Sequence, residues 1–527
     1  MSSVKNKTIE LGVWAFLSKF LGGLRELLLA RFIGAGVFSD AFFTAFNLIN
    51  SLRSVFADGA LGVSSLPTIV RLVSAGDKKI ACGLISLLLF FFESVIFFVC
   101  GLGIWFAPQI IFVFQPGFSP ETIALAIPFF RLLMPMIFFI TANAILTTAL
   151  HSVNHFTVPA MSPTILNIFF LVGIFGAYFC NSYFLIPMAL SINLLCVFLV
   201  AGVIVQFILH LIMYFKQGFI FCCINRRVFN NFKTVINVFW PSVIGASIGQ
   251  FNFLIDTRFA SYLQAGSVSL ISYANKFVDL PLTVFASSFA TIMLPSFSRV
   301  ALEDEEELSF LVQESFKLIL WVTLPMTLFF FVFAEKFFTT MLVSKRFTLE
   351  QAVEAGMIFK TLAIGIFALA LQKIVANIYY SKNQNYIITI SGLSTLFINV
   401  LLNNLLVKNY GAMGLTFATT VSQTSQTLIL VFLLQSKFGV TFNIKSLSRF
   451  LFKVSLQMLL GALLFGAAYL VVNKFIMFTI PESIKFFLLN QFGYWLWVGP
   501  LSCLLGLFFL ISRKSFGINL FFMDGEF

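Results

Sequence analysis

The chain has 527 residues, of which 59% are hydrophobic and only 10% charged, with a formal net charge of +12. An average soluble domain is about 25% charged, so this chain lacks the polar surface to stand alone in water. A bilayer removes that demand, because outward helix faces can be as apolar as the core.

A membrane crossing needs about 20 mainly apolar residues. That ruler gives fourteen segments: 9–33, 40–69, 80–106, 122–150, 158–180, 184–216, 234–262, 267–298, 310–334, 349–381, 385–406, 411–436, 450–475 and 488–512. Those longer than 25 residues tilt, kink or extend past the bilayer. The first carries Lys19, Arg25 and Glu26 and has no small-residue cleavage site, so it reads as a helix and not a signal peptide. The seven cysteines, Cys82, Cys100, Cys180, Cys196, Cys222, Cys223 and Cys503, lie mostly in apolar runs without metal-ligand spacing. They read as small buried hydrophobes with no disulfide framework.

The basic residues sit mostly in short loops, the pattern of membrane orientation and not of nucleic-acid binding. With the N-terminus in the cytoplasm, eighteen Lys and Arg lie on or near that side. The opposite side holds six: Lys336, Lys345, Arg346, Lys408, Lys474 and Lys485. An even number of crossings returns the C-terminus to the cytoplasm. The acidic run from Glu303 to Glu307 reads as a solvated connector.

The first helical pair resembles the seventh and eighth. Arg31-Phe32 matches Arg258-Phe259, Val55-Phe56-Ala57 matches Val284-Phe285-Ala286, and Leu66-Pro67 matches Leu294-Pro295. The interval from Arg to Pro is 36 residues in one copy and 37 in the other. A repeat of six helices, an even number, predicts two parallel lobes related by an axis along the membrane normal. The expected architecture is all-α: two six-helix lobes over 1–220 and 221–440, with two further helices in 441–527.

Charge within a crossing is costly, about 2.5–3.5 kcal/mol per Arg, Lys or Asp at a helix centre on insertion scales, so such residues should face a cavity or a partner. Lys19 and Glu26 share a face of an ideal helix, whereas Arg25 lies about 120° from Lys19. Gly22-Gly23 lies between them and permits a kink, from which a broken first helix is expected, aiming both cations at one cleft. Arg25 and Glu26 as a local ion pair is the alternative. Arg31 near the helix C-terminus suits either the site or the dipole. Asp40 with Ser39 can cap the second helix, or serve the site. Arg53 is mid-span, with Asp58 five residues on. Lys276 and Asp279 share a helical face, as an internal pair or as shared ligand contacts, and Pro281 follows. Asp256 stands near Arg258, for neutralisation or for ion coupling. Glu93, Lys373 and Asn377 are weaker candidates, and His151, His155 and His210 need no chemistry. Lys19, Arg25, Arg53 and Lys276 together make a cationic cavity that favours an anion. Guanidinium grips phosphate bidentately and ammonium as a point charge, so a phosphate-bearing amphiphile fits better than a cationic drug.

The stretch from Ser18 to Val70, with FTVPAMSPTILN (Phe156 to Asn167), GSVSLISYANKFVDLP (Gly266 to Pro281) and ATIMLPSFSR (Ala290 to Arg299), strongly resembles the MurJ (MviN) family. These are bacterial lipid II flippases of the multidrug/oligosaccharidyl-lipid/polysaccharide exporter superfamily. The resemblance implies a V-shaped protein of two six-helix lobes that moves an undecaprenyl-pyrophosphate-linked peptidoglycan precursor from the cytoplasmic to the outer leaflet. It places the family's cavity cations on Lys19, Arg25, Arg53 and Lys276, and its site acids on Glu26 and Asp40. It implies a lipid-tail groove formed with the last two helices, and coupling to membrane potential or a monovalent ion without a bound cofactor. It also implies a bacterial inner-membrane location, with membrane lipids and cell-wall synthesis proteins as partners. The family usually has Arg where this chain has Lys19, and Asp-Arg where it has Asn275-Lys276, so charge survives but the guanidinium fork is lost twice.

The expected function is lipid II translocation by alternating access. The alternatives are another polyprenyl-linked glycan or a multidrug/ion antiporter. A drug antiporter would favour an acidic cavity. A membrane glycosyltransferase would need catalytic acids in a sizeable extramembrane loop, and no loop here is long.

Overall fold

The computed structural model describes residues 2–222, 224–300, 305–382 and 384–524, with side chains except at 2–9, 57–59, 295, 298, 385 and 483. The regular elements among them are all helical. The chain divides into two compact units, one of Met1–Tyr273 with Asn403–Leu415, the other of Ala274–Leu402 with Thr416–Phe527.

The first unit opens with α1 (Ser2–Ile33) and α2 (Val37–Arg53). A π-helical segment, Ser54–Leu61, then leads into α3 (Gly62–Ser74). Next come α4 (Lys78–Trp105), α5 (Ala107–Phe114), α6 (Pro120–Leu133) and α7 (Pro135–Ser152). The unit continues through α8 (Thr157–Tyr183), α9 (Met188–Lys216) and α10 (Arg226–Ala260). Local chemistry sets these starts. Ser119 Oγ accepts the Thr122 N–H at 3.2 Å ahead of α6, and Asn225 Oδ1 accepts the Val228 N–H at 2.9 Å ahead of α10. Leu84, Leu88 and Phe92 of α4, Ile145 and Leu146 of α7, and Val235 and Phe239 of α10 share one buried cluster.

The helix α11 (Ser267–Leu282) begins in the first unit and ends in the second, where a second π-helical segment, Thr283–Ser287, leads into α12 (Ser288–Val300). Both copies of the repeated Val-Phe-Ala triplet thus fall within π-helical turns, a winding that is rare and concentrated at functional sites.

The second unit continues with α13 (Glu305–Met341), α14 (Leu349–Ile364), α15 (Ile366–Ser381) and α16 (Asn385–Phe438), except that Asn403–Leu415 of α16 belongs to the first. It closes with α17 (Ile444–Thr479), α18 (Glu482–Asn490), α19 (Gly493–Ser512) and the short α20 (Phe521–Asp524). The 54 residues of α16 would extend about 80 Å, far beyond the roughly 30 Å hydrocarbon core. The helix breaks at Gly411, whose φ of 54° is open to glycine at little cost. Gln457 is fully buried in α17 and joins three helices: it accepts from Trp321 Nε1 at 3.0 Å and donates to the Phe509 carbonyl at 2.8 Å and to Ser512 Oγ at 2.9 Å. After α19, Arg513 grips Asp524 through both Nη atoms at 3.0 and 2.6 Å. Those bonds hold the Asp524 carboxyl down at about 2.

Among the described residues, ten helices are long and apolar enough to cross a membrane. Counting α14 and α15, bent by 41°, as one broken span makes eleven. Large apolar side chains line the outside, with Phe90 72% and Phe478 86% exposed, as lipid-facing helices require. The protein is an all-α, polytopic membrane protein.

Candidate functional site

Arg25 and Glu26 form an ion pair on α1. Arg25 Nη1 also donates to Asn167 Oδ1 at 2.8 Å, and the guanidinium lies 4.6 Å from the centroid of the Phe170 ring. Asn167 and Phe170 are three residues apart on α8 and so share a face. Asn167 Nδ2 donates in turn to the Ser18 carbonyl at 2.9 Å, locking α8 to α1. The guanidinium is thus bonded at its edge and stacked on its face, which sets its orientation. Glu26 is 4% exposed, and among the described residues neither its Oε2 nor Arg25 Nε has a hydrogen-bond partner.

The helix break expected at Gly22-Gly23 is corrected by the structure, in which α1 runs without interruption from Ser2 to Ile33. Glycine permits a kink but does not impose one, and the Asn167 and Thr164 contacts to the Ser18 and Trp14 carbonyls brace this stretch from α8. Lys19 accordingly stays exposed on another face from Arg25. Arg31 is exposed in the last turn of α1, where the helix dipole favours a cation.

Asp40 is the second correction. It does not cap its own helix. Ser39 Oγ accepts the Gly36 N–H at 2.7 Å there. Asp40, 2% exposed, reaches across to the start of α11, accepting the Gly266 N–H at 2.6 Å and the Ser269 N–H at 2.8 Å. The same seam is closed by Ser39 to Ser269 at 3.0 Å, Asn47 to Ser272 at 3.1 Å and the Tyr273 hydroxyl to the Gly34 carbonyl at 3.1 Å.

Arg53, half-buried, ends α2 at the edge of the π-helical segment, and its Nε donates to Asn50 Oδ1 at 2.9 Å. The next residue, Ser54, accepts from Gln250 Nε2 at 3.2 Å. The Asp58 side chain lies outside the described residues. Asp256 is 6% exposed and accepts from Asn403 Nδ2 at 2.8 Å, while Arg258 Nη1 donates to the Val113 carbonyl at 2.7 Å. Both carboxylate oxygens of Glu93 are buried without a hydrogen-bond partner among the described residues.

In the second unit Lys276 is half-buried on α11, with Asp279 exposed one turn on. Lys373 Nζ donates to Ser287 Oγ at 2.6 Å and Asn377 Nδ2 to the Ala290 carbonyl at 2.5 Å, so the face they share holds the end of the second π-helical segment and the start of α12. An apolar groove of about 600 Å³ runs between α13, α17 and α19. Sequence reasoning passed over Asn167, Phe170 and Asn403 as functional side chains. A buried amide in an apolar helix must find a partner, which was the available signal for the two asparagines. Phe170, one of 72 phenylalanines, offered none.

The lipid II flippase MurJ family model matches residues 29–486, a span that includes Asp40, Arg53 and Lys276 and begins after Lys19, Arg25 and Glu26. The chain is 27% identical over 438 residues to the probable lipid II flippase MurJ of Buchnera aphidicola subsp. Acyrthosiphon pisum (strain APS), covering 80% of this chain and 82% of that protein. Among solved structures it is similar to a lipid II flippase MurJ in an inward closed conformation, with a TM-score of 0.76 and 24% identity over 96% of this chain and 99% of that one. It is also similar to an inward-facing multidrug resistance MATE family transporter of the MOP superfamily, with a TM-score of 0.66 and 14% identity over 80% and 94% of the two chains. At these identities the structural likenesses speak for the fold. The family match over most of the chain decides membership: this chain belongs to the lipid II flippase MurJ family, and is a multi-pass inner-membrane flippase and not an enzyme.

Proposed function

We propose that this chain carries lipid II from the cytoplasmic to the outer leaflet by alternating access, with cationic side chains gripping the pyrophosphate. Arg25, Arg53 and Lys276 are assigned to that headgroup, and with them Lys19, which would reach it from a face of α1 other than that of Arg25. Glu26 and Asp40 support them, Glu26 by pairing with Arg25 and Asp40 by capping α11. Arg31, Asp58, Asp256 and Asp279 are assigned supporting or gating roles. The observation that supports the reading is Arg25 in a chain of flippase family: a guanidinium within a membrane helix, oriented by Asn167, Glu26 and Phe170. A membrane helix that holds a cation this way needs a reason, and a phosphate-bearing headgroup supplies one.

Fourteen crossings fit the helices. Beyond the eleven apolar spans, α16 supplies a second crossing through its break at Gly411, and α1 and the α2–α3 stretch supply two more. Those two carry the site charges, and so are the least apolar. The loop-charge bias supports cytoplasmic N- and C-termini. Arg53→Ala is expected to leave the protein inserted and to stop lipid II from reaching the outer leaflet. Normal translocation by that variant in a leaflet-accessibility assay would remove Arg53 from the site.

A further inference from the structure

After α19 the chain folds back onto the second unit. Gly517, with a φ of 63°, makes the turn. The turn is fastened by the Ile518 N–H to the Arg513 carbonyl at 2.9 Å and by Lys453 Nζ to the Gly517 carbonyl at 2.8 Å. Ile518 and Leu520 are then buried in one cluster with Leu320 and Trp321 of α13, Val454 of α17 and Phe509 of α19. The grip of Arg513 on Asp524 closes the loop, and the Leu520 N–H donates to Asp524 Oδ2 at 3.1 Å. Held in this way, α20 sets the Phe521 ring 5.1 Å from that of Phe310 on α13 and the Phe522 ring 5.2 Å from that of Phe289 on α12.

Phe289 also lines an apolar cavity of about 190 Å³, with Leu282, Ala286, Ile319, Val322 and Ala370. Packed interiors hold few voids larger than a water molecule, and an apolar void stays dry, so this one is room for side chains. Through Ala286 it borders the second π-helical segment. A π turn closes its hydrogen bond over one residue more than an α turn. Rewinding Thr283–Ser287 to α would rotate α12 by about 100° and shift it by about 1.5 Å along its axis. That movement takes Phe289 off its present seat, and the ring contact with Phe522 opposes it. Lys373 and Asn377 hold the same stretch from α15. The tail is the hold that can lift as a unit, because its polar fastenings converge on Asp524, an exposed carboxylate.

We propose that residues 513–524 are a strap over α12. Closed, the strap keeps α12 in its present register. Lifted, it lets the second π-helical segment rewind and the apolar side chains of α12 reseat in the cavity, a step of the transport cycle. The place of that step in a cycle rests on the transport reading above; the hold of the strap on α12 does not.

The test has two arms, both on the purified full chain. In detergent, amide hydrogen exchange is read by mass spectrometry. Phe522→Ala and Asp524→Ala are each expected to speed exchange in residues 283–300 about ten-fold, the mark of a local opening. Exchange in α14 of the same unit stays as in wild type, and Met523→Ala, at an exposed neighbour, changes nothing. Unchanged exchange in 283–300 in both variants, or a rise shared equally by α14, overturns the strap. In liposomes, Phe289→Cys with Phe522→Cys is joined by a short cleavable bis-thiosulfonate, with wild type treated alike. Joining is expected to cut lipid II translocation to under about a tenth, as for a blocked conformational step, and reductant restores it. Joined protein as fast as reduced protein overturns the lifting step. If the reduced protein moves no lipid II, the flippase reading fails, and the exchange arm still decides the strap.

Discussion

Asp40 carries two backbone N–H groups of a helix start 226 and 229 residues away in sequence. Sequence alone shows an acid next to a serine at the head of its own helix, and local capping is the natural reading. The true partner comes from the fold, and Ser39 takes the local role. Asp40→Ala leaves two buried N–H groups without acceptors, at a cost of about 1–3 kcal/mol. A lowered thermal midpoint in detergent is expected, with Asp40→Asn falling between, because its amide nitrogen cannot accept the second bond. An unchanged midpoint in Asp40→Ala would show that the cap bears no weight. Arg25 was legible as a charge in the wrong medium. Its orientation was not, since it depends on Asn167 and Phe170, more than 140 positions away.

Among the elements, the glycine pair in α1 and the repeated triplets went opposite ways. Gly22-Gly23 suggested a break, yet α1 is continuous where α8 braces it. The Val-Phe-Ala triplets were legible as a repeat, but their π winding was not. In the structure Gln250 donates to Ser54 and Lys373 to Ser287 at these segments, partners that lie far away in sequence. Gln457 shows the same dependence. A lone amide in an apolar run has no visible partner in sequence, yet it ties α13, α17 and α19 together. Gln457→Ala strands the Trp321 indole N–H and should cost about 1–3 kcal/mol. The expected result is a lower midpoint and a Trp321 environment that shifts in fluorescence. A variant as stable as wild type would mean that packing alone holds these three helices.

At the scale of the whole molecule, the proposed function rests on Lys19, Arg25, Arg53 and Lys276 serving one anionic headgroup. This chain keeps lysine at 19 and 276, where arginine is usual in the family it resembles. If both serve as phosphate-binding cations, the Lys19→Arg and Lys276→Arg double variant should translocate lipid II within about two-fold of wild type, since either group forms charge-assisted bonds. Loss of transport in a normally folded double variant would point to a headgroup that requires compact ammonium groups. Reconstitution with defined polyprenyl-linked donors, with and without an imposed potential, separates the driving force from the choice of headgroup.

Composition and hydropathy were sufficient for the membrane class and the positions of the long apolar helices, because the bilayer imposes a length and an apolarity that can be counted along the chain; the family was legible in the motif stretches, above all from Ser18 to Val70. Charge within those helices was enough to nominate Arg25, Arg53 and Asp40. Which partner each one meets was settled only by tertiary structure. Hydrogen bonds such as Asp40 to Gly266, Asp256 to Asn403 and Arg25 to Asn167 join residues brought together by packing, and no local pattern along a chain encodes a neighbour that distant.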